Sequence, residues 1–268
     1  MRNLLISTSL FLTITACESE LSSIDVPDEN KLVVESYISP QDTILSVRVG
    51  NTNPVIGKVS KEFKVISNAN VKMGNASKTV NLSYDKDGYY RISAKQFFII
   101  KGQKYTLQVS TPDGRNVTSE CTIPPTSIDT KKVSVDIQSV NSGIKILTVK
   151  WSDIPNEQNY YALTGTYETL RKGCNSGSPY YFRDKNQDRE QFSFSFNTDV
   201  SCGNGNPNYI IIISSYDLNG YEYFSSVIEQ NGVNGVPFTE PVQIFTNIKG
   251  GYGVFSGYNQ FRTVVKVF

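Results

Sequence analysis

Thr79-Val80-Asn81-Leu82-Ser83-Tyr84-Asp85-Lys86-Asp87-Gly88-Tyr89-Tyr90 is the stretch that decides the fold class. Val80, Leu82 and Tyr84 alternate with Thr79, Asn81 and Ser83. A period of two puts apolar side chains on one face of a strand and polar ones on the other. Asp87-Gly88 follows, a pair that tolerates the positive φ of a tight hairpin turn. One dry face and one wet face mark antiparallel sheet. The texture continues outward on both sides. Leu45, Val47 and Val49 alternate with Ser46 and Arg48, and Tyr105, Leu107 and Val109 alternate with Thr106 and Gln108. Lys101-Gly102 and Asp113-Gly114 add turn signals. Short strands at this spacing predict a sandwich.

Pro124 and Pro125 end the run, because two prolines cannot sit in a central strand, and the domain boundary is placed there. The second half repeats the pattern in Val133, Val135 and Ile137, in Leu147, Val149 and Trp151, and in Phe192, Phe194 and Phe196. Ile210 to Ile213 suits a central strand. Phe224, Val227 and Ile228 follow i, i+3, i+4 and predict one short helix near Tyr223–Gln230. A loop insertion is expected over 169–190; loops of that length inside a compact domain are functional or disordered.

The chain opens with Arg2, an apolar run from Leu4 to Ile14, and then Thr15-Ala16-Cys17. A basic start, a short apolar core and small residues before a cut site make a signal peptide over 1–16. The run is too short to span a bilayer, which takes roughly 20 residues as a helix. The cysteine at the cut resembles the lipobox of bacterial lipoproteins, in which the thiol of Cys17 takes a diacylglycerol; an ordinary secretory signal is the plainer alternative. Residues 17–30, acidic and broken by Pro27, read as a tether between lipid and body. Removing residues 1–16 takes away Arg2 and no acid, which leaves 25 basic against 25 acidic residues. That balance supplies no basic field for nucleic acid, so no nucleic-acid partner is expected. Of the remaining cysteines, Cys174 and Cys202 lie in Gly/Asn/Ser-rich stretches and form the expected disulfide, while Cys121 is in phase with Val117 and Ile123 on an inward face.

The chemistry the sequence withholds is as informative. There is no histidine, which removes Ser-His-Asp and Cys-His nucleophiles, His-liganded zinc and imidazole acid/base work. No Cys-x-x-Cys and no phosphate-cradling glycine motif occurs; Gly250-Gly251-Tyr252-Gly253 lies between strands, the wrong context for phosphate. Asp85–Gly88 and Asp184–Asp188 hint at calcium, but the first reads more simply as a hairpin turn. The second carries Arg189 where a calcium loop needs glycine. No metal and no cofactor is expected. Paired carboxylates still permit a glycoside hydrolase, yet nothing singles out a pair. The chain is read as a binding protein and not an enzyme. Its candidate surface is aromatic: Tyr180, Tyr181 and Phe182, adjacent in a loop and unable to enter one core together, and Tyr252 and Phe255, interleaved with glycines. The second group suits equally the capping of a sandwich end.

Lys31-Leu32-Val33-Val34-Glu35-Ser36-Tyr37-Ile38-Ser39-Pro40 with Asn53-Pro54-Val55-Ile56-Gly57, and Val236-Pro237-Phe238-Thr239-Glu240-Pro241 with Thr246-Asn247-Ile248-Lys249-Gly250-Gly251-Tyr252-Gly253-Val254-Phe255, carry a family likeness. With the lipobox they resemble the Bacteroidota lipoprotein family DUF4249, a domain of unknown function. The resemblance implies an outer-membrane lipoprotein encoded beside a TonB-dependent outer-membrane transporter, and brings no catalytic residues. Residues 69–109 are similar to β-sandwich modules related to carboxypeptidase regulatory domains. Trp151 with Asn159-Tyr160-Tyr161-Ala162-Leu163 is similar to the early strands of fibronectin type III modules, where the Trp is core. The expected architecture is therefore all-β, with an immunoglobulin/transthyretin-like sandwich over 31–125 and a fibronectin type III-like module over 126–268. The expected partners are the membrane, through the N-terminal lipid, an outer-membrane TonB-dependent transporter, and a glycan or peptide ligand.

Overall fold

Residues 30–53, 63–141, 143–184, 191–233, 239–240 and 242–268 are described by a computed structural model. The signal peptide, Cys17 and all of the tether but Asn30 lie outside them, as do Val236-Pro237-Phe238 and most of Asp184–Asp188. Among the described residues the chain is all-β apart from one helix and two short 3-10 turns.

The first eight strands are β1 (Leu32–Ile38), β2 (Ile44–Asn51), β3 (Lys64–Val65), β4 (Asn70–Gly74), β5 (Thr79–Tyr84), β6 (Tyr89–Ser93), β7 (Lys104–Ser110) and β8 (Asn116–Thr122). Their hydrogen-bonded order is β1-β2-β6-β5-β4-β7-β8, with β3 beside β2. β5 turns this ladder over. Its residues Thr79 to Leu82 pair with β4, and Ser83 and Tyr84 pair with β6, so one path folds into two facing layers. The inward set buries Leu45, Val47, Val49, Leu82, Tyr105, Leu107 and Val109 as the alternation selects, together with Val34, Met73 and Tyr90. Tyr84, set on the apolar face by its period, is instead exposed at the end of β5. Asp87 and Gly88 both take positive φ at the β5–β6 turn, the hairpin geometry expected of them.

The next strands are β9 (Ser134–Ser139), β10 (Ile144–Ser152), β11 (Tyr160–Tyr167), β12 (Tyr180–Arg183), β13 (Gln191–Asp199) and β14 (Asn208–Tyr216). Helix α1 (Leu218–Val233) and the long β15 (Tyr252–Lys266) complete the chain. A three-stranded sheet, β13-β10-β9, packs on β12-β11-β14-β15 around Trp151, Tyr161, Leu163, Phe192, Ile211 and Ile213. This three-on-four sandwich is the fibronectin type III-like module. Trp151 is fully buried, its ring stacked 5.2 Å from Phe192 and edge-on to Tyr161 and Phe182 at 5.8 and 5.4 Å.

The boundary at 125 needs correcting. The chain leaves the first sandwich there, but β15 returns to it. Residues Tyr252 to Gly257 pair in parallel with Val33 to Ile38 of β1, and Tyr258 to Lys266 pair antiparallel with β14. Ile248 and Phe255 are consequently part of the first core. Without this partner β1 would be an edge strand with a row of open N–H and C=O groups. At roughly 3.3 Å per residue, β15 is a shared spine about 50 Å long.

Candidate binding site

Helix α1 begins where Asp217 can cap it. The Asp217 Oδ1 accepts from the Gly220 N–H at 3.0 Å. The same carboxylate accepts from Ser256 Oγ at 2.6 Å, the Gly257 N–H at 3.2 Å and the Thr122 N–H at 3.4 Å. One side chain thus ties the helix start to the middle of β15 and the end of β8. Burial pushes its carboxyl above the usual carboxylate range, against these hydrogen bonds. The helix then lies over the seam between the modules. Phe224 stacks on Tyr37 at 5.3 Å and on Tyr181 at 5.1 Å, and meets Tyr216 edge-on at 5.4 Å. Tyr221 packs 4.9 Å from Tyr160. The Tyr223 hydroxyl donates to Glu35 at 3.1 Å, and the Tyr258 hydroxyl to Asp42 at 3.0 Å. Desolvation raises the hydroxyl pKa values of Tyr37, Tyr181, Tyr223 and Tyr258. This layer holds α1 against both modules.

The residues singled out in the sequence separate into different environments. Tyr180, Tyr181 and Phe182 are not in a loop; they form β12, paired with β11 and ending the sheet. The strand's alternation sends Tyr181 under α1, while Tyr180 and Phe182 lie on the opposite face, 4.4 and 5.2 Å from Phe194. Tyr180 remains 42% exposed. Phe255 is fully buried and offers no surface, because β15 pairs there with β1. Tyr252 is exposed, with the Lys31 ammonium 5.4 Å above its ring. Cys174 and Cys202 are bridged, with Cα atoms 5.7 Å apart. Cys121 is a buried free thiol, raised well above its ordinary pKa by desolvation. Asp184 is buried and accepts from the Asn159 N–H at 3.1 Å, a structural contact.

Several clefts adjoin α1, and two of them bear on the candidate surface. The larger, about 890 Å³, lies over the polar outer face of β7 and β8, where Thr106, Gln108, Thr118 and Glu120 point, and is walled by Asn219 and Asn247. Its polar groups are mostly spent on closing the open edge of β8. Thr118 and Lys249 exchange backbone hydrogen bonds, Ser119 Oγ donates to the Asn247 carbonyl, and the Asn219 and Asn247 amides both donate to the Glu120 carbonyl. The smaller cleft, about 410 Å³, is lined by Tyr180, Tyr181 and Phe182 of β12, Phe194 of β13, and Tyr221, Ser225, Ile228 and Glu229 of α1. Side chains from both faces of β12 line it, so it runs along that strand's outer edge. Its size falls within the usual range for ligand sites. No group of three or more metal-ligating side chains occurs among the described residues.

Sequence reasoning named Tyr180–Phe182 as a candidate surface and did not name the α1 residues that line the same cleft, because the two are brought together only by the sheet between. Asp217 and Asn247 were missed as well. The readable signal for the first was Asp217-Leu218-Asn219-Gly220 before an apolar helical period, an N-cap pattern.

Fold and clefts together define a two-module β-sandwich protein, welded by a shared strand and a seam helix. The chain belongs to the family described as Domain of unknown function (DUF4249), whose model matches residues 18–263. No curated protein matches it in sequence. Among solved structures it is similar to a two fibronectin type-III domain segment from chicken tenascin, at 12% identity and a TM-score of 0.24, over 89% of this chain and 99% of that one. It is also similar to a DUF3823 family protein from Parabacteroides merdae, at 9% identity and a TM-score of 0.19, over 69% of this chain and 90% of that one.

Proposed function

We propose that the protein is a lipid-anchored, non-catalytic binding subunit of an outer membrane, serving a TonB-dependent transporter. The observation that carries the reading is the position of the tether exit relative to β15. Asn30, the last tether residue, is held by Arg115, whose Nη1 donates to its carbonyl at 2.9 Å. It lies at the start of β1, which pairs with the start of β15. From that end β15 runs away into the second module. A lipid on Cys17 would join the body at the first module's end of this spine, with the second module at its other end. Anchoring also raises the effective concentration of the displayed surface near a membrane partner. Transporter association comes from the family resemblance, and a stand-alone ligand-binding role is favoured by the cleft along β12.

Two measurements test this. Intact mass of the mature protein is expected to show acyl chains on Cys17; an unmodified thiol there removes the anchor from the reading. Affinity purification of the full chain from detergent-solubilised envelopes is expected to recover a large β-barrel protein. Recovery of the bait alone counts against the transporter role.

A further inference from the structure

The two ends of the long sheet are finished differently. The edge of β8 is closed by Lys249, Asn219, Asn247 and Asp217. At the other end β12 is the terminal strand, and its edge opens into a cleft of about 410 Å³ between α1 and β13. An open edge strand in a groove is a template for an added strand. The two walls of the groove differ in chemistry. The β13 side presents the rings of Phe194 and the 42% exposed Tyr180. The α1 side presents Ser225, the exposed Ile228 and Glu229, which among the described residues is the only charged one lining the cleft and makes no ion pair. An added strand sends alternate side chains to alternate walls. We propose that β12 binds an extended peptide segment by strand addition, with basic side chains directed to Glu229 and apolar ones to Tyr180 and Phe194. The carboxylate supplies the charge complementarity, and the backbone ladder supplies the affinity.

This inference rests on the reading of the chain as a binding protein but not on its membrane attachment, which acyl mass at Cys17 and barrel recovery decide separately. The test is fluorescence anisotropy of the full chain with three labelled octapeptides. One alternates lysine and valine, one alternates glutamate and valine, and one is the lysine–valine peptide N-methylated at every backbone nitrogen. The lysine–valine peptide is expected to bind best. N-methylation removes ladder hydrogen bonds and is expected to weaken binding about tenfold or more. Glu229→Lys lies on an exposed helix face and is expected to keep the wild-type melting temperature while reversing the preference between the lysine and glutamate peptides. Equal binding of the N-methylated peptide, an unchanged preference in Glu229→Lys, binding of none of the three, or binding of glycans in their place each overturns the proposal.

Discussion

At the scale of single residues, Asp217 joins more of the molecule than any aromatic of the candidate surface. It caps α1, holds Ser256 and Gly257 of β15, and receives the Thr122 N–H at the end of β8. Asp217→Ala strands these donors and removes the cap. The expected loss is about 2–4 kcal/mol, from a cap of roughly 1 kcal/mol and unsatisfied buried donors at about 1–3 kcal/mol. Urea unfolding measures it. The carboxyl also has a pH signature. Burial raises its folded pKa above the unfolded value of about 3.9, so the folded state favours the protonated form. Its contribution is fully present below that unfolded value and is lost as pH rises through the raised folded one. Asp217→Asn does not titrate. The stability of this variant relative to wild type is therefore expected to increase as pH rises above about 3.9, then level off; a difference independent of pH contradicts the assignment. Little of this was legible in the sequence, since a helix cap announces only its own helix. Cys121, by contrast, was placed inward by its phase with Val117 and Ile123 and is buried. Phase reports the face of a strand, whereas the partners of a polar side chain come from distant segments.

At the scale of elements, Gly253 decides whether β15 can pair with β1. Its φ is 111°, and a Cβ there would collide with the Val34 carbonyl oxygen. Gly253→Ala is expected to cost several kcal/mol, more than the roughly 1 kcal/mol usually attached to a backbone change. Thermal unfolding reads the effect, and a loss below about 1 kcal/mol would show that the strand re-registers without strain. The Cys174–Cys202 bridge works on the unfolded chain. It closes a loop with a sequence separation of 28, for which loop entropy predicts about 3–4 kcal/mol of stabilisation. Reduction, or paired replacement by serine, is expected to lower the melting temperature accordingly. Strands with two distinct faces were readable element by element: β2, β5, β7, β10 and β13 lie where the alternation put them. The helix was found too, though its first turn and last residues extend beyond the apolar repeat that signalled it. β12 was misread as loop because Tyr180-Tyr181-Phe182 is apolar on both faces, one under α1 and one against β13. A strand covered on both sides shows no period.

At the scale of the whole molecule, β15 joins two sandwiches through one continuous strand. Chain order separates them at Pro124-Pro125, yet Phe255 is core in the first and Val265 and Val267 pack in the second. In the sequence, Tyr252 and Phe255, set among glycines, read as candidate surface with no strand named there, and nothing revealed one that changes partner at Tyr258, because pairing leaves no mark on composition. The coupling has a direct test, since the chain has one tryptophan and it reports the second module alone. Far-UV circular dichroism reports the strands of both. If β15 and the α1 seam couple the modules, the Trp151 emission shift and the loss of strand signal share one midpoint and one slope in urea. Two independent sandwiches would instead lose part of the strand signal while Trp151 stays buried. Gly253→Ala sharpens the comparison, for it breaks the β1 half of the spine and leaves the β14 half intact. In that variant the first module is expected to unfold at lower urea with Trp151 emission unchanged. The wild-type coincidence and the variant's separation together make the shared strand the source of the cooperativity. If Trp151 emission instead moves together with the strand signal in the variant, the coupling lies in α1 and its aromatic layer.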